Sequence, residues 1–142
     1  MLEAHWGVHA DVWSVTSWTE LRREALAVDA WNHRHPDEPQ RTAHVATRLD
    51  PDNGPVVAVS DWMRAVPDQI APFVHADWSS LGTDGFGPSD TRTALRQYFR
   101  VDPPAIVVRV LECLAQHRTV DQSCPTEARN RYTSLQGGRQ WL

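Results

Sequence analysis

The chain has 142 residues, 41% of them hydrophobic and 23% charged, with a formal net charge of -4. One domain of ordinary size fits this length, a large multidomain enzyme does not, and the acidic balance excludes an overall positive field for phosphate backbones or anionic lipid. All 14 basic residues are Arg, which excludes Schiff-base and lysine-nucleophile chemistry.

In chain order, Met1 to Ala10 reads as the tail of a helix, with Leu2 and Trp6 four apart and Gly7 as its stop. Val12-Trp13-Ser14-Val15-Thr16 is short and rich in β-branched residues, which predicts a strand. Ser17 and Glu20 have capping-box spacing, in which hydroxyl and carboxylate each take a backbone N–H, and open a helix that runs toward His33. Its apolar stripe is Trp18, Leu21, Ala25, Val28 and Trp31, for which core filling is the expected role, and Pro36 ends it. Arg41 to Leu49 reads as another short helix, with Ala43, Ala46 and Leu49 on one side, and residues 50–55 as a turn cluster.

Val56-Val57-Ala58-Val59 is apolar without alternation, the pattern of a parallel strand covered on both faces. Two short helical pieces follow, split at Pro67, and then Trp78 to Gly82 as a third strand. Ser89-Asp90 is the expected cap of a helix carrying Leu95 and Phe99. Asp102-Pro103-Pro104 opens the last strong helix, with the stripe Ile106, Val107, Val110, Leu111 and Leu114. Beyond Arg118 the sequence turns polar and loses periodicity. These elements predict a domain over residues 1–118, built as a three-layer α/β/α sandwich with parallel strands, and a segment 119–142 without a readable pattern.

The chemistry-bearing residues are sparse. Seven His are scattered, and His33-x-His35 lacks the convergent partners that a zinc site needs, so no metal is expected. Cys113 and Cys124 match no zinc spacing and read as reduced thiols. G-x-S-x-G is absent, and the Gly82-to-Gly87 stretch fits neither phosphate-loop pattern. That stretch does join a strand end to a helix start, where open α/β sheets meet ligands. Trp6, Trp62 and Trp141 sit at element ends, positions that suit a protein interface as well as a core. No apolar run reaches the roughly 20 residues of a membrane span, and Met1 to His5 has no signal-peptide pattern, so a cytoplasmic protein is expected, with neither membrane nor nucleic acid as partner.

Several ordered blocks carry a resemblance: residues 12–23, Ala30-Trp31-Asn32 with His35-Pro36, Val57 to Met63, and Leu81-Gly82-Thr83-Asp84-Gly85-Phe86-Gly87 with Ser89-Asp90-Thr91-Arg92. Together they resemble the transketolase-like C-terminal domain of the homodimeric pyruvate dehydrogenase decarboxylase component, over roughly Leu2 to Arg118. Departures are Pro88, where the family usually has a basic residue, and Trp62, where it has Tyr. The last twenty-four residues carry no clear likeness.

The resemblance implies a role in a thiamine-diphosphate- and magnesium-dependent enzyme that decarboxylates pyruvate and passes the acetyl group to the lipoyl arm of an acetyltransferase component. Thiamine diphosphate and magnesium are held by preceding domains, so the expectation is no cofactor on this chain alone and no catalytic residue, but a contribution to assembly. The expected partners are chains carrying the cofactor domains, or a second copy. The family sheet also has first strands that this chain lacks. One of them would lie between Val12–Thr16 and Val56–Val59, which leaves three outcomes: the flanking strands pair directly, another polypeptide donates the strand, or the fragment is only marginally folded. The loop of Asp84, Gly85, Phe86, Gly87, Ser89 and Arg92 is the stretch nearest an active-site entrance, with Thr16, Ser17 and Glu20 shaping a neighbouring strand end. A plain strand-to-helix turn explains the same loop residues, and a non-catalytic remnant or interaction module is the alternative reading of the chain.

Overall fold

The computed structural model describes residues 1–49 and 51–135. It contains helices α1 (Leu2–Trp6), α2 (Trp18–Arg34), α3 (His44–Arg48), α4 (Ala65–Asp68), α5 (Arg92–Tyr98), α6 (Pro103–Gln116) and α7 (Cys124–Leu135), with strands β1 (Val56–Val59) and β2 (Trp78–Leu81). The strands pair in parallel, Val56 opposite Trp78 and Val59 opposite Leu81. α6 packs on both strands, α7 on α6, and α3 on α2. The α/β class and the parallel pairing agree with the sequence pattern.

The strand expected at Val12–Thr16 does not form: residues 11–16 are irregular and exposed, Val12 to 93% and Trp13 to 55%. A strand needs a neighbour for its backbone groups, and among the described residues β1 has only β2 beside it. β1 is also less covered than an inner strand, since Val59 is partly exposed.

Two apolar clusters hold the fold. The first joins Ala25 of α2, Ala43, Val45 of α3, and Ile70, Val74 and Ala76 of the crossover between the strands, with Trp18, Leu21, Val56 and Trp78 against it. The second joins Val107 and Leu111 of α6 to Ala128 and Tyr132 of α7, with Leu2, Trp6 and Val8 packed on it. The predicted stripe of α6 is partly corrected. Val107, Leu111, Cys113 and Ala115 are buried, while Ile106, Val110 and Leu114 are only half covered. The reason is that α6 has neighbours on two sides, the sheet and α7, so its covered arc is wider than one stripe. Burial pushes the Cys113 thiol up from its ordinary pKa, against a hydrogen bond with Ser79 of β2.

Helix ends follow the sequence with three adjustments. Gly7 closes α1 in the left-handed region at φ 63°, and Asp102 caps α6 by accepting from the Ala105 N–H at 3.3 Å. The cap of α5 is Thr91, not Ser89-Asp90. The Thr91 hydroxyl accepts from the Ala94 N–H, and the Asp90 carboxylate accepts from the Thr91 N–H one residue earlier. Ser17 caps α2 through the Glu20 N–H at 3.2 Å, but the Glu20 carboxylate forks onto Arg23 instead of turning back to the backbone. A charged partner one turn on outcompetes a neutral N–H. Pro67 sits in the first turn of α4, where a missing N–H costs nothing, and the break between the helical pieces falls after Asp68.

Trp31 also departs from the expected core. It is half-buried, stacked on His35 at 4.4 Å between ring centres and covered by the Arg41 guanidinium at 3.6 Å. The side chain of Asn32 exchanges two hydrogen bonds with the Arg41 backbone, so this stack pins the loop after α2. Asp50 of the turn cluster, and Trp141 with the rest of 136–142, lie outside the described residues. The first part of 119–142 does form α7, whose sequence pattern is weak because only one narrow side of it meets α6.

Leu111 is fully enclosed at 0% exposure, whereas Leu26 on the outer side of α2 is 40% exposed. Leu111→Ala is expected to destabilise the chain by about 3 kcal/mol and Leu26→Ala by less than about 0.5 kcal/mol, read from urea unfolding midpoints at constant slope.

Candidate functional site

Parallel strands in register end side by side, so the segments that leave β1 and β2 emerge at the same end of the sheet. The Ser60 N–H donates to the Leu81 carbonyl at 3.0 Å, extending the pairing one residue past β1. Thr83 then closes the two exits together. Its N–H donates to the Trp62 carbonyl at 2.9 Å and its hydroxyl to the Asp61 carbonyl at 2.8 Å.

Asp84 completes this junction. Its carboxylate accepts from the Arg64 N–H at 2.9 Å and from the Arg64 guanidinium, which ties the first turn after β1 to the loop after β2. The Arg64 side chain, and then its backbone N–H, hold the Asp84 carboxyl below its ordinary value, and the guanidinium is raised in return. Asp61 reaches Arg96 on α5 at 3.5 Å, so three elements converge on this end of the sheet.

Glycine is required here for two different reasons. A Cβ on Gly82 would stand 2.5 Å from the Trp62 carbonyl oxygen and 2.8 Å from the Arg64 nitrogen, so the two exits approach only because no side chain lies between them. Gly85 has open space around it but φ 85°, a turn that L side chains rarely adopt. Gly87 lies under the ring of Phe99, which a Cβ would meet at 2.9 Å.

Large apolar side chains stand open to solvent alongside the charged groups of this junction. Phe86 is 99% exposed and Trp62 68%, with Met63 also exposed. Ser89 and Arg92 are exposed, with Arg92 at the first position of α5. The structure therefore groups Asp84, Gly85, Phe86 and Gly87 at the strand ends, with Ser89 and Arg92 on the way into α5. Thr16, Ser17 and Glu20 stand at the start of α2, and the bonds of Ser17 and Glu20 stay within that turn.

The residues that sequence reasoning missed are Arg64 and Asp61. Their signal was the parallel pairing itself, since it places whatever follows each strand in contact. Two shallow depressions among the described residues lie away from this junction. One runs along 116–122 after α6, and the other lies beside Asp29, Asn32 and His33 at the end of α2.

Among the described residues no group of three His, Cys, Asp or Glu gathers in a way that could hold a metal ion. No described helix is long and apolar enough to cross a membrane.

A family model of the transketolase-like TK C-terminal domain matches residues 1–102. The pyruvate dehydrogenase E1 components of Mycolicibacterium smegmatis and Mycobacterium tuberculosis are each 53% identical over 132 residues, which is 93% of this chain and 14% of either protein. The component of that name from Escherichia coli K12 is 40% identical over 129 residues, 90% of this chain and 14% of that protein. This chain thus spans 14% of the length of the two mycobacterial relatives. A match over 132 of 142 residues necessarily reaches past Arg118, into the segment where sequence reading found no likeness.

Gly82→Ala is expected to cost about 2 kcal/mol by forcing the two exits apart, and Gly85→Ala about 1 kcal/mol through backbone strain alone, both read by thermal unfolding. The Asp84 pairing is fully present above the ordinary carboxyl value of 3.8 and is lost as pH falls through the lower folded value. In Arg64→Met the Asp84 carboxyl, followed by carbon NMR, is expected to titrate nearer 3.8.

Proposed function

The chain belongs to the transketolase-like C-terminal domain family, and from that premise we propose that it serves as the C-terminal lobe of a thiamine-diphosphate-dependent pyruvate dehydrogenase. The observation that carries this reading is 53% identity along 93% of the chain to proteins named pyruvate dehydrogenase E1 component. The reaction is the oxidative decarboxylation of pyruvate with acetyl transfer to a lipoyl group. This chain's share of it is assembly and the shaping of the surroundings of the reacting centre, in the cytoplasm.

The described residues do not fit the cofactor. No acidic or imidazole group gathers for magnesium, and both oxygens of Asp84 are engaged by Arg64. We assign thiamine diphosphate and its magnesium to the companion regions that make up the rest of the relatives' length, and no chemical step to a residue of this chain.

Two surfaces fit such companions. We take the exposed Trp62, Met63 and Phe86 at the strand ends as an apolar platform of the kind that becomes buried in an interface; Arg92, at the first position of α5, is exposed as well. A rigid base supports the platform, because Gly82, Thr83, Asp84 and Arg64 lock the two exits together. The other surface is the outer edge of β1. The pairing with β2 uses the backbone of Val56 and Ser60, so the intervening alternation turns the N–H and C=O of Val57 and Val59 the other way. With Val12–Thr16 exposed and not paired to it, a strand contributed by a companion is the arrangement that completes a three-layer α/β/α sandwich. Strand addition supplies main-chain hydrogen bonds and fixes register at once.

The test uses the Mycolicibacterium smegmatis relative with its matching segment deleted, co-expressed with this chain. Co-purification and pyruvate-dependent acetyl transfer are expected from the pair and from neither part alone, and Phe86→Ser with Trp62→Ser is expected to weaken association at least about tenfold. Failure to associate, together with unchanged turnover, overturns the reading.

A further inference from the structure

Tyr132 of α7 is 3% exposed and sits in the cluster that α6 and α7 share. Its hydroxyl meets two groups from α1. The Trp6 indole N–H donates to it at 3.0 Å, and the Nδ1 of His5 lies 3.0 Å away on the other side. These are contacts across more than 120 residues of sequence, and they join the first helix of the chain to the last described one.

The three groups have unequal hydrogen-bonding capacity. An indole N–H only donates, so the Tyr132 oxygen accepts from Trp6. The single phenolic proton is then matched to His5 in the tautomer that carries its proton on Nε2 and leaves Nδ1 bare to accept. The arrangement is complete only with neutral His5. Protonation puts a hydrogen on both ring nitrogens, so the tyrosine oxygen faces two donors and its own proton loses its acceptor.

α1 has little else to hold it in shape. It is five residues long, far below the length at which a helix persists alone, and its remaining hold is the packing of Leu2, Trp6 and Val8 on the α6–α7 cluster. We propose that His5, Trp6 and Tyr132 form a proton-sensitive latch that docks the first helix onto α7 and releases it on mild acidification.

The charges around the latch act in the same direction. Desolvation lowers the pKa of His5 below its ordinary 6.5, followed by the positive charges of Arg131 on α7 and of the Met1 amino group. The acid that α1 carries, Glu3, lies 3.5 Å from His9 and is directed toward that imidazole. A histidine with a depressed folded pKa favours the docked state above its unfolded value. Docking is therefore complete above about pH 6.5 and is lost as pH falls from there through the lower folded value. The latch stands on residues of this chain alone and does not depend on what the companion regions do.

Nitrogen-15 labelling of the full chain gives one indole N–H signal for each tryptophan, and Trp6 is assigned by its loss in Trp6→Phe. Between about pH 4.5 and about pH 7.5 the Trp6 indole signal is expected to shift along a single titration curve with a midpoint below 6.5. Amide exchange of residues 2–8 is expected to rise, relative to the intrinsic rate, over the same interval. His5→Gln keeps a neutral side chain that can accept from Tyr132, and is expected to retain the upfield or downfield position of the docked signal without the titration. Tyr132→Phe removes the shared oxygen and is expected to give the released signal at every pH. A Trp6 signal that does not move with pH, an identical titration in His5→Gln, or a His5 midpoint at or above 6.5 would each overturn the proposal. So would a wild-type spectrum without a docked Trp6 signal at the upper end of the range.

Discussion

The constraint on which the rest of the structure depends is the parallel register of two four-residue strands. Parallel neighbours cannot be joined by a tight turn, so the chain between Val59 and Trp78 must leave one end of the sheet and return to the other. That crossover is where the first apolar cluster is concentrated, with Pro67, Ile70, Val74 and Ala76 all buried along it. The same geometry brings both strand exits to one end. Their contact at Gly82 and Trp62 is a direct consequence of register, because a shift by one residue would replace the missing Cβ with a real side chain. The platform of Trp62, Met63 and Phe86 is therefore positioned by backbone pairing, with little help from its own side-chain contacts.

The second constraint is the double coverage of α6. It faces β1 and β2 on one side and α7 on the other, and a helix in that position must be apolar over most of its circumference. Its charged residues are placed accordingly. Glu112 serves two guanidinium groups, Arg109 one turn earlier at 3.1 Å and Arg129 on α7, so the acid on α6 also staples the outer helix. These pairs are half exposed, and their role is more to fix the angle between α6 and α7 than to add much stability.

Most helices and both strands were legible in the sequence, for reasons that are local. Ser17, Asp102 and Gly7 signal helix ends by chemistry that a neighbour hardly alters, and Val56–Val59 has the unbroken apolar character of a parallel strand. What could not be read was long-range. Val12–Thr16 has strand-forming residues, but strand formation is decided by a partner, and nothing in those five residues says whether one is present. α7 was hidden for the opposite reason: its buried contacts are few and dispersed, Ala128 and Tyr132 chief among them, so periodicity is weak although the helix is firmly packed. At the strand ends the sequence singles out the loop of residues 84–87 but not Arg64, because a guanidinium twenty residues away in sequence becomes a neighbour only through the parallel pairing.

An exposed strand edge is a template that folded proteins usually cover, bend or charge. The outer edge of β1 has none of these devices in its own sequence: Val56 to Val59 carries no charge, no proline and no bulge. Chains that keep such an edge bare pair with copies of themselves or with whatever strand is near, and a two-stranded sheet alone is barely stable in water. The apolar residues of Val12 to Thr16 and of β1 are therefore better suited to a place inside a larger sheet than to a surface. The same physical reasoning joins the sequence similarity to the geometry. Val12, Trp13 and Phe86 are among the large apolar side chains that this chain, 53% identical to part of much longer proteins, leaves exposed. A companion that contributes a strand to β1 and covers the Phe86 platform would remove both exposures in one association.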